Sequence, residues 1–434
     1  MLQFIDILTL ILQIQDKFMT VGKYPNCRFV LELKTIKMLA KEINPGIRIK
    51  PLKLSVSDTP HLTIEPNNTC NIRCKACYNF YKGFVKSVDE VKKEIDIGIQ
   101  KRKLDVITLL GGEPTIHPHL DEIIAYIKSK SLTCNILTNG VVLLNDHDGS
   151  FLERLKKAGV DRIILHVDSG QRHIHNDIEA VREKLFDKFE KANINFSLSV
   201  TVYPESSGQI PVIMKKYSKY KNFISILATI ARDFRKDIDK NPVSGNNNDF
   251  FCEYKSISEK LNVEPASYIP SSVDDEFVCW LMYFYFINSE TGEAFDISPL
   301  VSRMFRKIFY HINGRYMFSL KMKMSTFKAL MILSSLIEIS AHPRKISRFL
   351  ELIKRSSFLN KIRFQNIVIQ NAPEYNVRKR KAQICYHCPD ATIRNGKLTP
   401  VCLADLLNPL EKYKEEGKAS KEFYNAVYEH MEQL

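Results

Sequence analysis

Residues 70–77 read Cys-Asn-Ile-Arg-Cys-Lys-Ala-Cys and follow the short apolar run His61–Pro66. The thiols of Cys70, Cys74 and Cys77 therefore have the spacing CxxxCxxC. Three thiolates are one too few for a closed four-coordinate zinc site or for an iron–sulfur cube held wholly by cysteine. A [4Fe–4S] cluster on three cysteines would leave one iron open to a small molecule that can accept an electron. The alternative is a zinc knuckle that takes His61 or another side chain as its fourth ligand.

Three later segments follow apolar, β-rich runs in order along the chain. They read Leu-Leu-Gly-Gly-Glu-Pro at 109–114, Leu-Thr-Asn-Gly at 137–140 and His-Val-Asp-Ser at 166–169. Loops at one rim of a parallel barrel converge on a single site. Together with the CxxxCxxC spacing, these segments resemble the radical S-adenosylmethionine (radical SAM) enzymes.

The resemblance implies a [4Fe–4S] cluster on the three cysteines, with SAM bound to the open iron. It also implies that Glu113 and nearby backbone carbonyls receive the methionine ammonium, and that polar strand-end side chains reach the SAM carboxylate or ribose. The family usually has an aromatic residue before the third cysteine, where this chain has Ala76. Either Tyr78 covers the cluster instead, or the adenine contact differs. The residues predicted to contact SAM are Gly111, Gly112, Glu113, Asn139, Asp168 and Ser169.

Between residues 58 and 240, strand patterns alternate with helical patterns, as βα units do. The β-rich runs are His61–Glu65, Asp105–Leu110, Thr133–Leu137, Arg162–Val167, Asn195–Val202 and Phe223–Ile230. The helical patterns lie near 87–102, 118–130, 148–158, 177–191 and 209–220. Such helices supply the right-handed crossovers that parallel strands need. Six units predict an α/β fold with a partial (β/α)6 TIM-like barrel, which the resemblance implies as well.

We expect four regions along the chain: a helical extension, a radical SAM core, a helical and basic segment, and a cysteine region, at 1–57, 58–240, 241–375 and 376–434. The formal net charge of +14 comes from one stretch, because residues 301–381 hold 18 Lys and Arg against three acidic residues. Such a block can bind RNA, a phosphorylated substrate, anionic lipid or an acidic peptide. The alternative is a solvated helical face.

A second group of cysteines, Cys385, Cys388 and Cys402, lies near the end of the sequence. The pair Asn395-Gly396 predicts a hairpin turn, which would return Cys402 to the other two thiols. The group resembles the auxiliary iron–sulfur region of SPASM/Twitch radical SAM proteins, and we predict a second cluster there.

A structural zinc site is the alternative for this second group, completed by His387, Cys252 or Cys279. The spacing is similar to that of the GTP 3′,8-cyclases. Those enzymes place two arginines after the second auxiliary cysteine, where this chain has Asp390 and Thr392. We therefore do not expect GTP cyclisation from the spacing.

Cysteines in two tight groups within a long chain favour cluster or metal binding in a reducing compartment. No cleavable signal peptide is expected, because the apolar N-terminus carries Asp6 and Asp16 and lacks a basic start. The apolar runs at 277–287 and 327–341 are too short or too charged to span a membrane. We read both as buried elements or as walls of an apolar cavity, and we predict a cytoplasmic protein.

The functional hypothesis is reductive cleavage of SAM followed by hydrogen-atom abstraction from a substrate in the barrel mouth. A peptide is the first choice of substrate, and a nucleotide or a lipid is the alternative. A flavodoxin or ferredoxin is the expected electron donor, and no catalytic side chain is assigned. The competing class is a zinc-binding protein that interacts with RNA and needs no SAM.

Overall fold

Fourteen strands and ten α-helices are present in the computed structural model, which describes residues 49–74, 77–79, 83–172, 174–231, 248–273, 275, 277–318, 324–354, 360–371, 374–376 and 381–402. The strands are β1 His61–Asn67, β2 Val106–Gly111, β3 Thr133–Thr138, β4 Arg162–His166, β5 Asn195–Val202, β6 Phe223–Ile230, β7 Ser267–Pro270, β8 Val278–Asn288, β9 Ala294–Asp296, β10 Ile362–Gln370, β11 Glu374–Asn376, β12 Lys381–Gln383, β13 Ala391–Arg394 and β14 Lys397–Pro400.

Helices connect the first six strands, and others follow in the second half of the chain. They are α1 Val88–Lys101, α2 Leu120–Ser129, α3 Val141–Asn145, α4 Ser150–Ala158, α5 Ile178–Lys191, α6 Ile210–Tyr217, α7 Asn248–Leu261, α8 Pro299–Asn313, α9 Met324–Ala341 and α10 Ile346–Ile353. Helix α1 begins at a capping box, in which Ser87 and Glu90 each satisfy a backbone N–H of the other. None of the described helices is long and apolar enough to cross a membrane.

One large sheet organises the molecule. Strands β1 to β6 lie side by side in chain order, and every neighbouring pair among them is parallel. The sheet does not close on itself, because β6 is followed by β10, β8 and β7. Strand β10 is parallel to β6, whereas β8 is antiparallel to β10. The predicted α/β fold with an open, partial barrel of six βα units is confirmed.

Strand β1 has a helix-facing side and an opposite side, because successive side chains of a strand alternate. Leu62 and Ile64 are fully buried in the hydrophobic core with Val91 and Ile95 of α1. A Cβ atom on Gly98 of α1 would lie 2.2 Å from a Leu62 methyl group, so the glycine permits this close packing. The helices therefore cover one face of the sheet.

The C-terminal segment covers part of the other face. His61 Nδ1 lies 3.1 Å from a carboxylate oxygen of Asp390, and Arg394 Nη2 donates to Glu65 Oε2 at 2.6 Å. Strands β13 and β14 form an antiparallel hairpin, with Asn395 at φ 50° and Gly396 at φ 74° in its turn. The predicted Asn-Gly turn is confirmed, and the hairpin lies along β1.

The expectation of a largely helical segment at 241–375 is wrong in part. The structure has four helices there, but also strands β7 to β10, and all four of these strands belong to the main sheet. The run 277–287 forms most of β8, because a continuous apolar run fits a fully buried strand as well as a buried helix. Most of the predicted extension at 1–57 lies outside the described residues.

Candidate active site

Polar side chains at the end of β1 hold the loop that carries the three cysteines. Asn68 Oδ1 accepts hydrogen bonds from the backbone N–H groups of Gly83 and Phe84, both at 2.8 Å. Asn67 Nδ2 donates to the carbonyls of Thr69 and Glu113 at 2.9 and 3.1 Å. The loop is thus joined both to its own far end and to the end of β2.

Two glycines let the end of β2 approach this loop. The N–H of Gly112 donates to the Asn67 carbonyl at 2.9 Å, and the N–H of Glu113 donates to the Thr69 carbonyl at 2.8 Å. A Cβ on Gly112 would lie 2.0 Å from the Thr69 oxygen. Gly111 has φ +125°, and a Cβ there would meet the Asn67 oxygen at 2.2 Å. The Gly-Gly pair is therefore required by close backbone contact.

The Glu113 carboxylate is buried and joins the ends of β2 and β3. Its Oε1 accepts from the N–H and the hydroxyl of Thr115 at 3.0 and 2.5 Å, and from the Thr138 hydroxyl at 2.7 Å. Its Oε2 accepts from the N–H of Asn139 at 2.7 Å. Burial raises the pKa of Glu113, although these hydrogen bonds oppose the shift. The side chain predicted to meet SAM thus already has four hydrogen bonds within the chain.

Side-chain amides face two of the three cysteine sulfurs. Asn139 Nδ2 lies 3.8 Å from Cys70 Sγ and donates to Asn71 Oδ1 at 2.7 Å. Gln171 Nε2 lies 3.5 Å from Cys74 Sγ. Amide donors of this kind stabilise sulfur that carries negative charge, as thiolates do in a cluster.

Cys74 also contacts an imidazole. His166 hydrogen bonds the Cys74 thiol, and its Nε2 lies 3.6 Å from Asp168 Oδ2. Burial opposes protonation of the imidazole, but the charge of Asp168 and the contact with Cys74 together raise the pKa of His166 to about 9. The pKa of Cys74 is lowered despite burial, mainly by His166. The site therefore favours a thiolate at this cysteine.

The remaining predicted residues lie around the same strand ends. Asp168 is buried and accepts from the N–H groups of Gly170 and Thr201 at 2.8 and 2.7 Å. Ser169 begins the short 3₁₀ turn that follows β4. The Tyr78 hydroxyl lies 3.4 Å from the Gly111 carbonyl, and Cys77 Sγ lies 3.6 Å from the carbonyl of Asn79.

The donors fit an iron–sulfur cluster by their chemistry. Cys70, Cys74 and Cys77 are not joined in disulfides and are partly exposed. Within the described part of the chain, no three His, Cys, Asp or Glu side chains stand in a geometry ready to hold a metal ion. The fit therefore rests on three available thiols, on the amides that face them and on the strand ends that surround them.

The second group of cysteines lies near the opposite end of β1. The Cys388 carbonyl accepts from Arg102 Nη2 at 2.9 Å, and Arg102 Nη1 donates to the carbonyl of His61, the first residue of β1, at 2.7 Å. The N–H of Val401 donates to the Asp390 carbonyl at 2.9 Å, so the hairpin returns Cys402 toward Cys388. Strand β1 spans about 20 Å at the usual rise per residue, and the two cysteine groups lie near its two ends.

The Radical SAM superfamily model matches residues 64–216, which contain the first cysteine group and the ends of β2, β3 and β4. Residues 64–216 therefore form a radical SAM domain. Such a domain implies a [4Fe–4S] cluster and SAM as cofactors. The matched residues include most of the six βα units but none of the C-terminal cysteines, so the radical SAM match does not reach the second group.

Curated relatives match part of the chain. A probable GTP 3′,8-cyclase of Methanococcus maripaludis is 27% identical over 184 residues, which is 39% of this chain and 58% of that protein. An S-adenosylmethionine-dependent nucleotide dehydratase of Lacinutrix mariniflava is 25% identical, covering 52% of this chain and 46% of that protein. The chain spans about half the length of these relatives. The solved structure of Streptococcus suis SuiB bound to S-adenosylmethionine has 13% identity and a TM-score of 0.35, covering 52% of this chain and 51% of that one.

Sequence reasoning missed several side chains that organise the radical SAM site. Gln171 and Asn71 were not singled out. Gln171 contacts the Cys74 sulfur, and Asn71 accepts a hydrogen bond from the Asn139 side chain. Thr138 and Thr115 complete the hydrogen bonds of Glu113. Only the positions of Thr115 and Thr138, beside the Gly-Gly-Glu-Pro and Asn-Gly motifs, could have drawn attention to them.

Proposed function

We propose that this protein cleaves SAM reductively and uses the product radical to abstract a hydrogen atom from a substrate. The observation that carries the proposal is the convergence of the three cysteines of the CxxxCxxC motif with the Gly-Gly-Glu-Pro strand end in the radical SAM domain. When bound, a reduced [4Fe–4S] cluster supplies the electron that cleaves the SAM sulfonium. The protein's part is to bind, to orient and to exclude competing hydrogen donors.

Each strand end has a proposed role in that task. Cys70, Cys74 and Cys77 would hold the cluster through their thiolates. The buried Glu113 carboxylate fixes the Asn139 backbone beside the cysteine loop, and its burial favours a structural role for the side chain itself. We propose that Gly111, Gly112, Asn139, Asp168, Ser169 and Tyr78 form the surface that SAM meets.

A peptide is our proposed substrate, and the basic block of residues 301–381 is its proposed docking surface. The structure limits which cations can serve. Lys345 Nζ contacts the buried carboxylates of Asp296 and Glu338 at 2.7 and 2.8 Å, and Arg348 contacts Asp296 at 2.9 Å. These two cations are already paired, so exposed ones such as Arg344 and Lys307 are better candidates.

A nucleotide is the second candidate substrate, because two of the curated relatives are named for GTP cyclisation and for nucleotide dehydration. The positions that would carry the cyclase arginines do not offer cations here. Asp390 is hydrogen bonded to Gln370 Nε2 at 2.8 Å, and Thr392 is buried. A nucleotide would therefore need other contacts. We further propose a flavodoxin or ferredoxin as electron donor and a cytoplasmic location.

Anaerobic reconstitution tests the proposed chemistry. The reduced protein should convert SAM to 5′-deoxyadenosine, and the triple variant Cys70→Ala, Cys74→Ala, Cys77→Ala should lose that activity. Cys134→Ala is the matched control, because Cys134 is buried near the start of β3, at the opposite end of that strand from Thr138 and Asn139. Cleavage that survives in the triple variant would contradict the site. Bound zinc in place of iron, without SAM turnover, would favour the binding-protein alternative.

Competition between substrates separates the two classes. Synthetic peptides of acidic composition and nucleoside triphosphates would each be tested for suppression of uncoupled SAM cleavage or for deuterium transfer into 5′-deoxyadenosine. Transfer from a labelled peptide supports the first choice, whereas transfer from a labelled nucleotide alone would replace it with the second.

A further inference from the structure

The segment that carries Cys385 lies against the turn between β7 and β8. Ser271 forms an antiparallel bridge with Cys385, and the N–H of Tyr386 donates to the Pro270 carbonyl at 2.9 Å. The N–H of Ser272 donates to the Ile384 carbonyl at 2.8 Å. The backbone of β7 and β8 therefore fixes where this cysteine sits, although more than a hundred residues separate the two segments.

Cys279, the second residue of β8, lies at the same place. It is a free, buried cysteine, and Cys385 packs against the small apolar group that contains it. The thiol of Cys385 hydrogen bonds the thiols of both Cys279 and Cys388. Cys402 lies near enough for its charge to interact with Cys385 and Cys388. Four sulfurs thus lie in one neighbourhood, one from β8 and three from the C-terminal segment, although no three of them stand in a geometry ready to hold a metal ion before a cluster is inserted.

The other side chains considered for this site are less suitable. Cys252 is disulfide-bonded, so its sulfur is not available. His387 has its ring against Tyr386, with the centroids 4.4 Å apart, and its backbone is at φ 43°.

We propose that Cys279 is the fourth thiolate ligand of the C-terminal iron–sulfur cluster, so that this cluster has no open iron. The proposal rests on the second cluster that the sequence predicts, and it deepens the proposed function by giving that cluster a role. A cluster held by four cysteines cannot anchor a substrate through iron. It can pass electrons or hold the C-terminal segment in place.

The charge around the site agrees with four thiolates. A [4Fe–4S]²⁺ core with four thiolates carries two negative charges, and such charge is costly to bury without a nearby cation. Arg102 is buried and hydrogen bonds the carbonyls of Cys388, Pro389 and His61. Its Nε is buried without a hydrogen-bond partner. A buried guanidinium group of this kind, shielded from water, stabilises an anionic group beside it.

The experiment uses a variant that lacks the first cluster, so that the measured iron content reports only on the second cluster. In the Cys70→Ala, Cys74→Ala, Cys77→Ala background, we would compare Cys279→Ser with the control Cys134→Ser after anaerobic reconstitution. We expect the background and the control to retain one [4Fe–4S] cluster per chain. Cys279→Ser should lower the retained iron severalfold or give the electron paramagnetic resonance signal of a three-iron cluster.

Equal iron and an unchanged spectrum in Cys279→Ser would overturn the proposal, and so would zinc in place of iron in the background. Because Cys279→Ser could disturb β8, Cys279→His is a second variant that keeps a ligand. A retained cluster with a shifted spectrum supports ligation, whereas an unshifted spectrum contradicts it. SAM cleavage is measured separately with the first cysteine group intact, so a failure of the proposed function is not mistaken for a failure here.

Discussion

The amide of Gln171 is fully buried, and its Nε2 is shared between the Cys74 sulfur and the His166 carbonyl. A hydrogen bond to a cluster sulfur stabilises the more negative, reduced state and so raises the reduction potential. A net hydrogen bond of about 1 kcal/mol corresponds to about 40 mV in a one-electron couple.

We therefore expect Gln171→Met to lower the reduction potential of the first cluster by roughly that amount. The measurement is a spectroscopic redox titration of the reconstituted protein. Gln100→Met, on the exposed side of α1, is the matched control and should leave the potential unchanged. A potential in Gln171→Met equal to that of the control would remove Gln171 from any role at the cluster.

A second residue links stability to pH. Glu253 on α7 is fully buried, and its Oε1 accepts from the Gly208 N–H, just before α6, at 2.6 Å. Burial raises the pKa of Glu253 to about 7 from an ordinary value near 4.5. A raised carboxyl pKa means that the folded state prefers the protonated form. Its contribution to stability is therefore full below pH 4.5 and is lost as the pH rises through 7.

Glu253→Gln keeps an acceptor for Gly208 but cannot ionise. We expect the variant to lose the part of the pH dependence between about 4.5 and 7, and to be more stable than the parent at pH 8 by at most about 3 kcal/mol. Urea unfolding at several pH values measures this. Glu259, exposed on the same helix, supplies the control, and Glu259→Gln should have the same pH dependence of stability as the parent. If Glu253→Gln also keeps the parent's pH dependence, the raised pKa of Glu253 is contradicted.

At the level of elements, the contact between the end of β2 and the cysteine loop depends on Gly112. Alanine at this position would place its Cβ 2.0 Å from a backbone oxygen of Thr69, and backbone cannot move aside as a flexible side chain can. We expect Gly112→Ala to displace the loop and to lower iron binding at the first site severalfold.

The matched control for Gly112→Ala is Gly149→Ala, where no atom lies within 4 Å of the added Cβ. That change costs about 1 kcal/mol through the positive φ of Gly149 and should leave the iron content unchanged. Iron and sulfide analysis after reconstitution distinguishes the two. Full iron content in Gly112→Ala would show that the loop tolerates the shift.

The six βα units could be predicted from sequence because each buried strand is short, apolar and followed by an amphipathic helix. The second half was harder, for two physical reasons. The run that forms β8 is apolar at nearly every position, so it has no period that separates a strand from a helix. Strand β10 is stabilised by pairing with β6 and β8, which are distant in sequence.

Some residues of the candidate site could also be predicted from the sequence, whereas others could not. Closely spaced ligands, such as Cys70, Cys74 and Cys77, are visible as a motif. Gln171 and Cys279 are not, because each reaches its partner only after strands have been placed side by side. Sequence reasoning considered Cys279 as one of three possible zinc ligands, and its contact with Cys385 in the folded chain separates it from the others.

For the whole molecule, the attachment of the C-terminal hairpin to the barrel is the decisive contact. Arg394 donates through Nε and Nη2 to the buried Glu65 carboxylate at 3.0 and 2.6 Å. Loss of one partner from a buried ion pair typically costs about 3 kcal/mol or more.

We expect Arg394→Met to lower the free energy of unfolding by about that amount and to reduce iron retention at the second cysteine group. Chemical denaturation and iron analysis in the background that lacks the first cluster measure both effects. Lys397→Met, exposed on the same hairpin, should change neither. If both variants retain the parent's stability and iron, the hairpin is held to β1 by other contacts.

The position of this hairpin bears on how large a substrate the site can accommodate. The hairpin packs on β1, the edge strand of the open sheet, and Arg394 lies over the Glu65 side of that strand. We therefore expect the reaction chamber to be narrower than six βα units alone would enclose. A bulky guest could present only a thin portion of itself, such as one side chain or one sugar ring. Selectivity would then depend on what fits past the hairpin as much as on the chemistry beyond it.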